Sequence, residues 1–150
     1  MKTIFWILML FFFTSCQSKT TPVTHSLPLT GTWELISATT IQNDSISTKD
    51  NVGKRMIKII NDTHFSFLNH DVNQGTDSTA SFVAGGGSYR LQGNAYTEYL
   101  EYCSFREWEG HSFTFTVEIK GDTLVQRGME KIDELGVNRE IIETYIRTKK

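Results

Sequence analysis

The chain has 150 residues, and its 15 basic and 17 acidic side chains give it a formal net charge of −2 at pH 7. This near-balance gives no electrostatic reason to expect binding to nucleic acid or to an anionic membrane surface. The length allows one ordinary domain, which is large enough to bury a core without disulfide bonds.

The first 16 residues have the pattern of a secretory signal. One positive charge, Lys2, precedes an apolar run of ten residues, Ile4 to Phe13, and small residues follow. The run is too short for a membrane-spanning helix, which needs about 20 residues. Phe13-Thr14-Ser15-Cys16 resembles the lipobox of bacterial lipoproteins, which implies a signal peptide over residues 1–15 and a diacylglycerol on Cys16. The alternative is an ordinary signal peptide cut nearby, which would leave Cys16 free to pair with Cys103.

Residues 16–28 are predicted to form a flexible tether after the lipidated cysteine. Both prolines, Pro22 and Pro28, fall here among serines and threonines. Such a segment reaches at most about 40 Å when extended. We expect the lipid to anchor the protein in the bacterial cell envelope. In some bacterial lipoproteins an acidic cluster after the cysteine resembles a surface-export signal, and its absence here favours the periplasmic side.

From Leu29 onward, apolar and polar residues alternate with the period of two that is typical of β-strands. Asn61-Asp62, Gly93-Asn94 and Gly121-Asp122 are turn signals, and the segment from Met129 to Leu135 is predicted to form a helical turn ended by Gly136. The predicted strands cover residues 32–36, 55–60, 64–68, 81–84, 89–91, 95–103, 111–120, 123–127 and 140–147.

Two of the turns predict strand register. A glycine in the first position of a two-residue loop suits a type II′ hairpin. The Gly121-Asp122 turn then pairs Ile119 with Leu124 and Val117 with Gln126, and the Gly93-Asn94 turn pairs Leu91 with Tyr96 and Tyr89 with Glu98. Eight or nine short strands with tight turns indicate an all-β domain, either a closed barrel or a sandwich.

Two further motifs favour the barrel. Gly31-Thr32-Trp33 resembles the Gly-x-Trp signature of lipocalins and related calycins, in which an arginine late in the chain stacks over the tryptophan. Arg147 would be that residue here. The glycine-rich stretch from Gly85 to Glu98 is similar to that of uncharacterised lipocalin-like lipoproteins. The resemblance implies an up-and-down barrel over residues 29–150, closed at its base by Trp33 and Arg147, with room for one small ligand.

The hairpin at Gly93-Asn94 also predicts a binding face. Tyr89, Tyr96, Glu98 and Tyr102 would point into the barrel, and a buried carboxylate must be paired, hydrogen-bonded or protonated. Either tyrosine hydroxyls or an arginine such as Arg90 or Arg106 satisfy Glu98, or the carboxylate anchors a ligand. A register error of one residue would turn Glu101 inward instead.

Candidate loops surround the predicted mouth. Trp108, in the connection of residues 105–110, is a lid, a partner-binding anchor or a ring folded onto the barrel wall, and residues 42–53 and 69–79 are expected to be mobile loops. The candidate ligand-binding residues are Tyr89, Tyr96, Glu98, Tyr102, Arg106, Trp108, Phe113 and Phe115.

No motif predicts catalysis or a metal. His64 and His70 would lie about 20 Å apart along a strand, too far to share one ion. The chain has no Gly-x-Ser-x-Gly elbow and no glycine-rich phosphate loop. We therefore expect no cofactor and no enzyme activity. The leading hypothesis is an envelope-anchored module that binds a small apolar or amphipathic ligand, and the alternative is an interaction protein that docks another envelope protein through its outer face or the Trp108 loop.

Overall fold

The computed structural model describes residues 27–50 and 52–149. The predicted signal peptide, the lipidation of Cys16 and the tether as far as residue 26 lie outside the described residues. No helix in the described part of the chain is long and apolar enough to span a membrane.

The described residues form ten β-strands and two short 3₁₀ turns, Arg106–Trp108 and Asp133–Leu135. The strands are β1 (Gly31–Gln42), β2 (Ser45–Asp50), β3 (Lys54–Ile60), β4 (His64–Asp71), β5 (Phe82–Gln92), β6 (Ala95–Tyr99), β7 (Tyr102–Cys103), β8 (Ser112–Lys120), β9 (Thr123–Ile132) and β10 (Val137–Arg147).

Eight of these strands close into an antiparallel barrel in the order β1-β3-β4-β5-β6-β8-β9-β10. The ring closes where β10 pairs with β1, from Trp33 opposite Arg147 to Ile41 opposite Glu140. The two extra strands lie outside the ring, β2 against β1 and β7 against β5. The predicted all-β barrel is therefore confirmed, and a sandwich is excluded because a sandwich has no closed ring of strands.

Both predicted hairpin registers are confirmed. Tyr89 pairs with Glu98 across Gly93-Asn94, and Val117 pairs with Gln126 across Gly121-Asp122. Gly93 and Gly121 have φ values of 61° and 59°, and φ is not positive at the residue that follows either of them. A positive φ at the first loop residue alone is the expected geometry of a type II′ turn.

Several predicted boundaries were wrong. Residues 42–53 contain a strand, β2, which pairs with β1 through a tight turn at Asn43-Asp44. This strand was missed because its polar residues lack an apolar alternation. Strand β5 runs unbroken through its three glycines, and β9 extends to Ile132, so that only Asp133–Leu135 turns before Gly136.

The glycines of β5 allow another part of the chain to approach closely. A Cβ on Gly87 would collide with the carbonyl oxygen of Tyr99, and the Gly86 carbonyl accepts a hydrogen bond from the Glu101 amide at 3.0 Å. The predicted strand over residues 95–103 accordingly ends at Tyr99 and resumes as β7. This interruption of the strand changes which side chains face inward beyond Tyr99.

Trp33 closes the base of the barrel. Its ring is fully buried and donates from Nε1 to the Leu29 carbonyl at 2.8 Å. The Arg147 guanidinium lies over that ring, 3.9 Å from the centroid, and donates to the carbonyls of Thr30 at 2.8 Å and Pro28 at 2.6 Å. Pro28, expected in the tether, is therefore bound to the barrel.

We expect Arg147→Lys to lower the free energy of unfolding by about 1–3 kcal/mol, because lysine replaces a planar group that stacks and binds two carbonyls at once. Urea unfolding measures this loss. Arg90→Lys, at an exposed position, is the matched control and is expected to stay within about 0.5 kcal/mol of the wild type. Equal stabilities for the two variants would contradict this role of Arg147.

Candidate ligand-binding cavity

A cavity of about 220 Å³ lies inside the barrel between the plugged base and the opposite, open end. Its volume is below the about 300 Å³ at which drug-sized pockets begin. Its apolar wall consists of Met56, Phe67, Val83, Leu100, Cys103, Phe105, Trp108, Phe113, Phe115 and Ile141. Its polar lining consists of Lys58, Glu98, Gln126, Glu130, Arg139 and Glu143.

Lys58 is the buried cation at the centre of this lining. It points inward from β3 between Met56 and Ile60, and it is only 2% exposed. Its Nζ donates to Oε1 of Glu98 at 2.7 Å and to Oε1 of Gln126 at 2.9 Å. Three aromatic rings surround it, with centroids 5.5 to 5.9 Å from Nζ, and they belong to Phe65, Tyr96 and Tyr145.

Burial raises the pKa of Glu98, although Lys58 opposes the shift by attraction and by its hydrogen bond. A raised pKa means that the barrel interior disfavours the ionised carboxylate relative to water. The ion pair with Lys58 is therefore what makes a charged Glu98 tolerable at this position.

A second ion pair lies nearer the mouth. Glu130 and Arg139 are register partners on β9 and β10, and Nε and Nη2 of Arg139 both lie 2.6 Å from Oε2 of Glu130. The Arg139 guanidinium also lies 5.5 Å from the centroid of the Trp108 ring. Burial raises the pKa of Glu130, and Arg139 acts against this shift.

A layer of aromatic side chains separates the polar residues from the base. Tyr96 is fully buried, and its ring lies 5.2 Å from that of Tyr89 and 6.5 Å from that of Phe65. Its hydroxyl has no hydrogen-bond partner of good geometry among the described residues. Burial, followed by the negative charge of Glu98, raises the pKa of the Tyr96 phenol. The Tyr89 hydroxyl donates to the Asn61 carbonyl at 2.8 Å, in the turn that joins β3 to β4.

The structure brings together half of the predicted ligand-binding residues. Glu98, Trp108, Phe113 and Phe115 line the cavity. Tyr89 and Tyr96 belong to the aromatic layer on the base side and are not part of the cavity lining. The register keeps Glu101 outside, where its carboxylate accepts a hydrogen bond from the Ser88 hydroxyl.

The inward placement of Tyr102 and the arginine partners proposed for Glu98 were wrong. Tyr102 is 69% exposed because the strand is interrupted after Tyr99, and this interruption ends the alternation of inward and outward side chains. Arg106 is exposed and pairs with Glu109 at 3.0 Å, and Arg90 is also exposed. The partner of Glu98 is Lys58, whose position between two inward apolar residues of β3 was the available sequence signal.

Five polar lining residues were missed in the sequence. Gln126 had a signal, because the predicted register already placed it opposite Val117, whose side chain belongs to the core. Lys58 had the signal given above. The other three, Glu130, Arg139 and Glu143, are inward-facing charged residues of β9 and β10, and charged side chains are ordinarily exposed.

The mouth is shaped by the connections at the open end. Trp108 is half-buried, lines the cavity and lies 5.9 Å from the inward-facing Phe113 ring, so its ring packs inward at the mouth. In the loop after β4, the buried Asp71 carboxylate accepts from the amides of Gly75 and Ser81 at 2.8 and 2.9 Å. Among the described residues, no group of three or more His, Cys, Asp or Glu side chains could hold a metal ion.

We expect Lys58→Met to lower the free energy of unfolding by about 3–5 kcal/mol, because it leaves the Glu98 carboxylate buried without a cation. Urea unfolding measures this loss, and the double variant Lys58→Met/Glu98→Gln should recover most of it. The loss from the single substitution should also shrink as the pH falls toward 4.5, the ordinary pKa of glutamate, because protonation removes the buried charge. A double variant no more stable than the single one would contradict this assignment.

Comparisons with known proteins assign the chain to no family. No protein-family model and no curated protein matches it. Among solved structures, it is similar to an uncharacterised protein from Bacteroides eggerthii DSM 20697, with 12% sequence identity and a TM-score of 0.47. The match covers 79% of this chain and 98% of that one.

Proposed function

We propose that this protein binds a small amphipathic molecule inside its barrel while a lipid on Cys16 holds it in the cell envelope. The observation that carries the proposal is the cavity of about 220 Å³, open at one end and lined by an apolar wall with a few convergent polar groups. Concave sites with this mixture are the usual binding sites of small molecules.

The polar groups suit recognition better than chemistry. Lys58 is held by Glu98 and Gln126, and Arg139 is held by Glu130. Groups fixed in this way present a preorganised surface, and binding then needs little reordering of side chains. We therefore assign the cavity a binding role and no catalytic step.

The direction of the mouth supports a ligand from the envelope space. The chain enters the barrel through Leu27 and Pro28, next to Trp33 and Arg147, and the mouth lies at the other end. A lipid anchor at Cys16 would therefore be attached on the side of the plugged base and would leave the mouth unobstructed. The ligand would then enter at the end of the barrel that lies away from the attachment point.

A second candidate function is docking of another envelope protein through the outer wall. Phe82 and Tyr102 are 65% and 69% exposed. They share the outer face of the β5–β7 pair, because Gly86 is opposite Tyr102 and side chains alternate along β5. Exposed aromatic residues of this kind are common interface anchors.

Titration with 2-phenylethanol, followed by NMR of the full chain in nanodiscs of a zwitterionic lipid, tests the binding proposal. We expect saturable binding, and we expect Met56→Trp to weaken it about tenfold or more because the larger ring fills the cavity. Met129→Trp is the matched control, since Met129 is 49% exposed on the outer face of β9.

Native mass spectrometry of the protein purified from a bacterial envelope adds a second readout. A small molecule that co-purifies with the wild type and with Met129→Trp, but not with Met56→Trp, would support binding in the cavity. Absence of a bound molecule together with no saturable binding of 2-phenylethanol would refute the proposal and leave the docking function as the better one.

A further inference from the structure

The charges that line the cavity do not balance. Lys58 pairs with Glu98 at 2.7 Å, and Arg139 pairs with Glu130 at 2.6 Å. Glu143 also lines the cavity, and it forms no ion pair with any described residue. The described lining therefore carries three carboxylates and two cations.

Glu143 is placed to meet a ligand. It lies on β10, two residues from Ile141 and two from Tyr145, both of which are buried in the barrel. Its Oε2 accepts a hydrogen bond from the Tyr145 hydroxyl at 2.7 Å. That hydrogen bond orients the carboxylate, but a neutral phenol does not compensate its charge.

The negative charge of Glu143 also repels the other two carboxylates of the cavity, Glu98 and Glu130. Burial raises the pKa of Glu98 and of Glu130, and the negative charge of Glu143 adds to both shifts. A cation placed in the cavity would relieve this repulsion, whereas an anion would add to it.

The cavity wall also favours a ligand that combines a cationic group with an apolar part. Phe113 lies between two other rings, with its centroid 5.9 Å from that of Trp108 and 6.5 Å from that of Phe115. Aromatic faces carry negative potential and attract ammonium groups within about 6 Å. The same rings bury the apolar part of a ligand.

We infer that the ligand is a small amine whose protonated nitrogen pairs with Glu143 and whose apolar body packs against Phe113, Phe115 and Trp108. The inference rests on the proposed binding function and specifies the ligand class. A carboxylate ligand is disfavoured, because it would add a fourth negative charge to a lining whose two cations already have carboxylate partners. Competition with Glu98 for Lys58, or with Glu130 for Arg139, would weaken an existing ion pair. A weakened ion pair leaves a buried protein carboxylate with less compensation of its charge.

Three ligands of matched size and different head groups test this inference: 2-phenylethylamine, 2-phenylethanol and phenylacetate. Their dissociation constants are measured by NMR titration of the full chain in zwitterionic nanodiscs, with empty nanodiscs as the blank. We expect the amine to bind about tenfold or more tightly than the alcohol, and phenylacetate to bind most weakly.

Glu143→Gln removes the charge and keeps an acceptor for Tyr145. We expect it to bring the dissociation constants of the amine and the alcohol to within about threefold of each other. Glu140→Gln is the matched control, because Glu140 lies on the same strand but pairs outside the cavity with Arg127 at 2.6 Å. It should keep the preference for the amine.

The outcomes separate the two proposals. Binding of the alcohol without any preference for the amine would overturn the amine inference and leave the binding function intact. A preference for the amine that survives Glu143→Gln would overturn the role of Glu143. Failure of all three ligands to bind the wild-type chain would overturn both the inference and the proposed function. The wild-type comparison decides the ligand class even if Glu143→Gln fails to fold.

Discussion

The interior of this barrel depends on a buried ammonium group. Lys58 can lie inside only because it has partners, since an unpaired charge in a low-dielectric interior is strongly destabilising. Those partners, Glu98 on β6 and Gln126 on β9, come from strands that are not neighbours of β3 in the ring. The polar contacts therefore tie facing walls of the barrel to each other, which the strand hydrogen bonds along the ring do not do.

This cross-barrel contact divides the interior into layers. Below it, Tyr96, Tyr145 and Phe65 surround the ammonium, and Trp33 under Arg147 closes the base. Above it, the side chains do not fill the barrel, and the cavity remains. The barrel is thus solid at one end and open at the other, so a molecule in the cavity meets apolar rings along the wall and charged groups beside them.

The proposed anchor and the proposed binding site lie at opposite ends of the barrel. The lipid that we propose on Cys16 would attach on the side of the plugged base, where Pro28 contacts Arg147. The cavity and Glu143 lie beyond the aromatic layer, toward the mouth. If the proposed anchor exists, its loss would not alter the cavity, and substitutions in the cavity would not alter the anchor.

The sequence by itself determined the strand-rich class, the tight turns and both hairpin registers, because these depend on a period of two and on glycine-containing loops between neighbouring strands. It predicted an inward Glu98 from the register with Tyr89 and left an inward Glu101 as the alternative, and the structure decides for Glu98. Only the tertiary structure decided what surrounds Glu98. Along the chain, Lys58 is 40 residues from Glu98 and 68 residues from Gln126. The period of two along a strand does not encode such contacts across a barrel. The outward turn of Tyr102 likewise follows from the close approach of residues 99–101 to the glycines of β5, because a contact between distant segments interrupts the local alternation there.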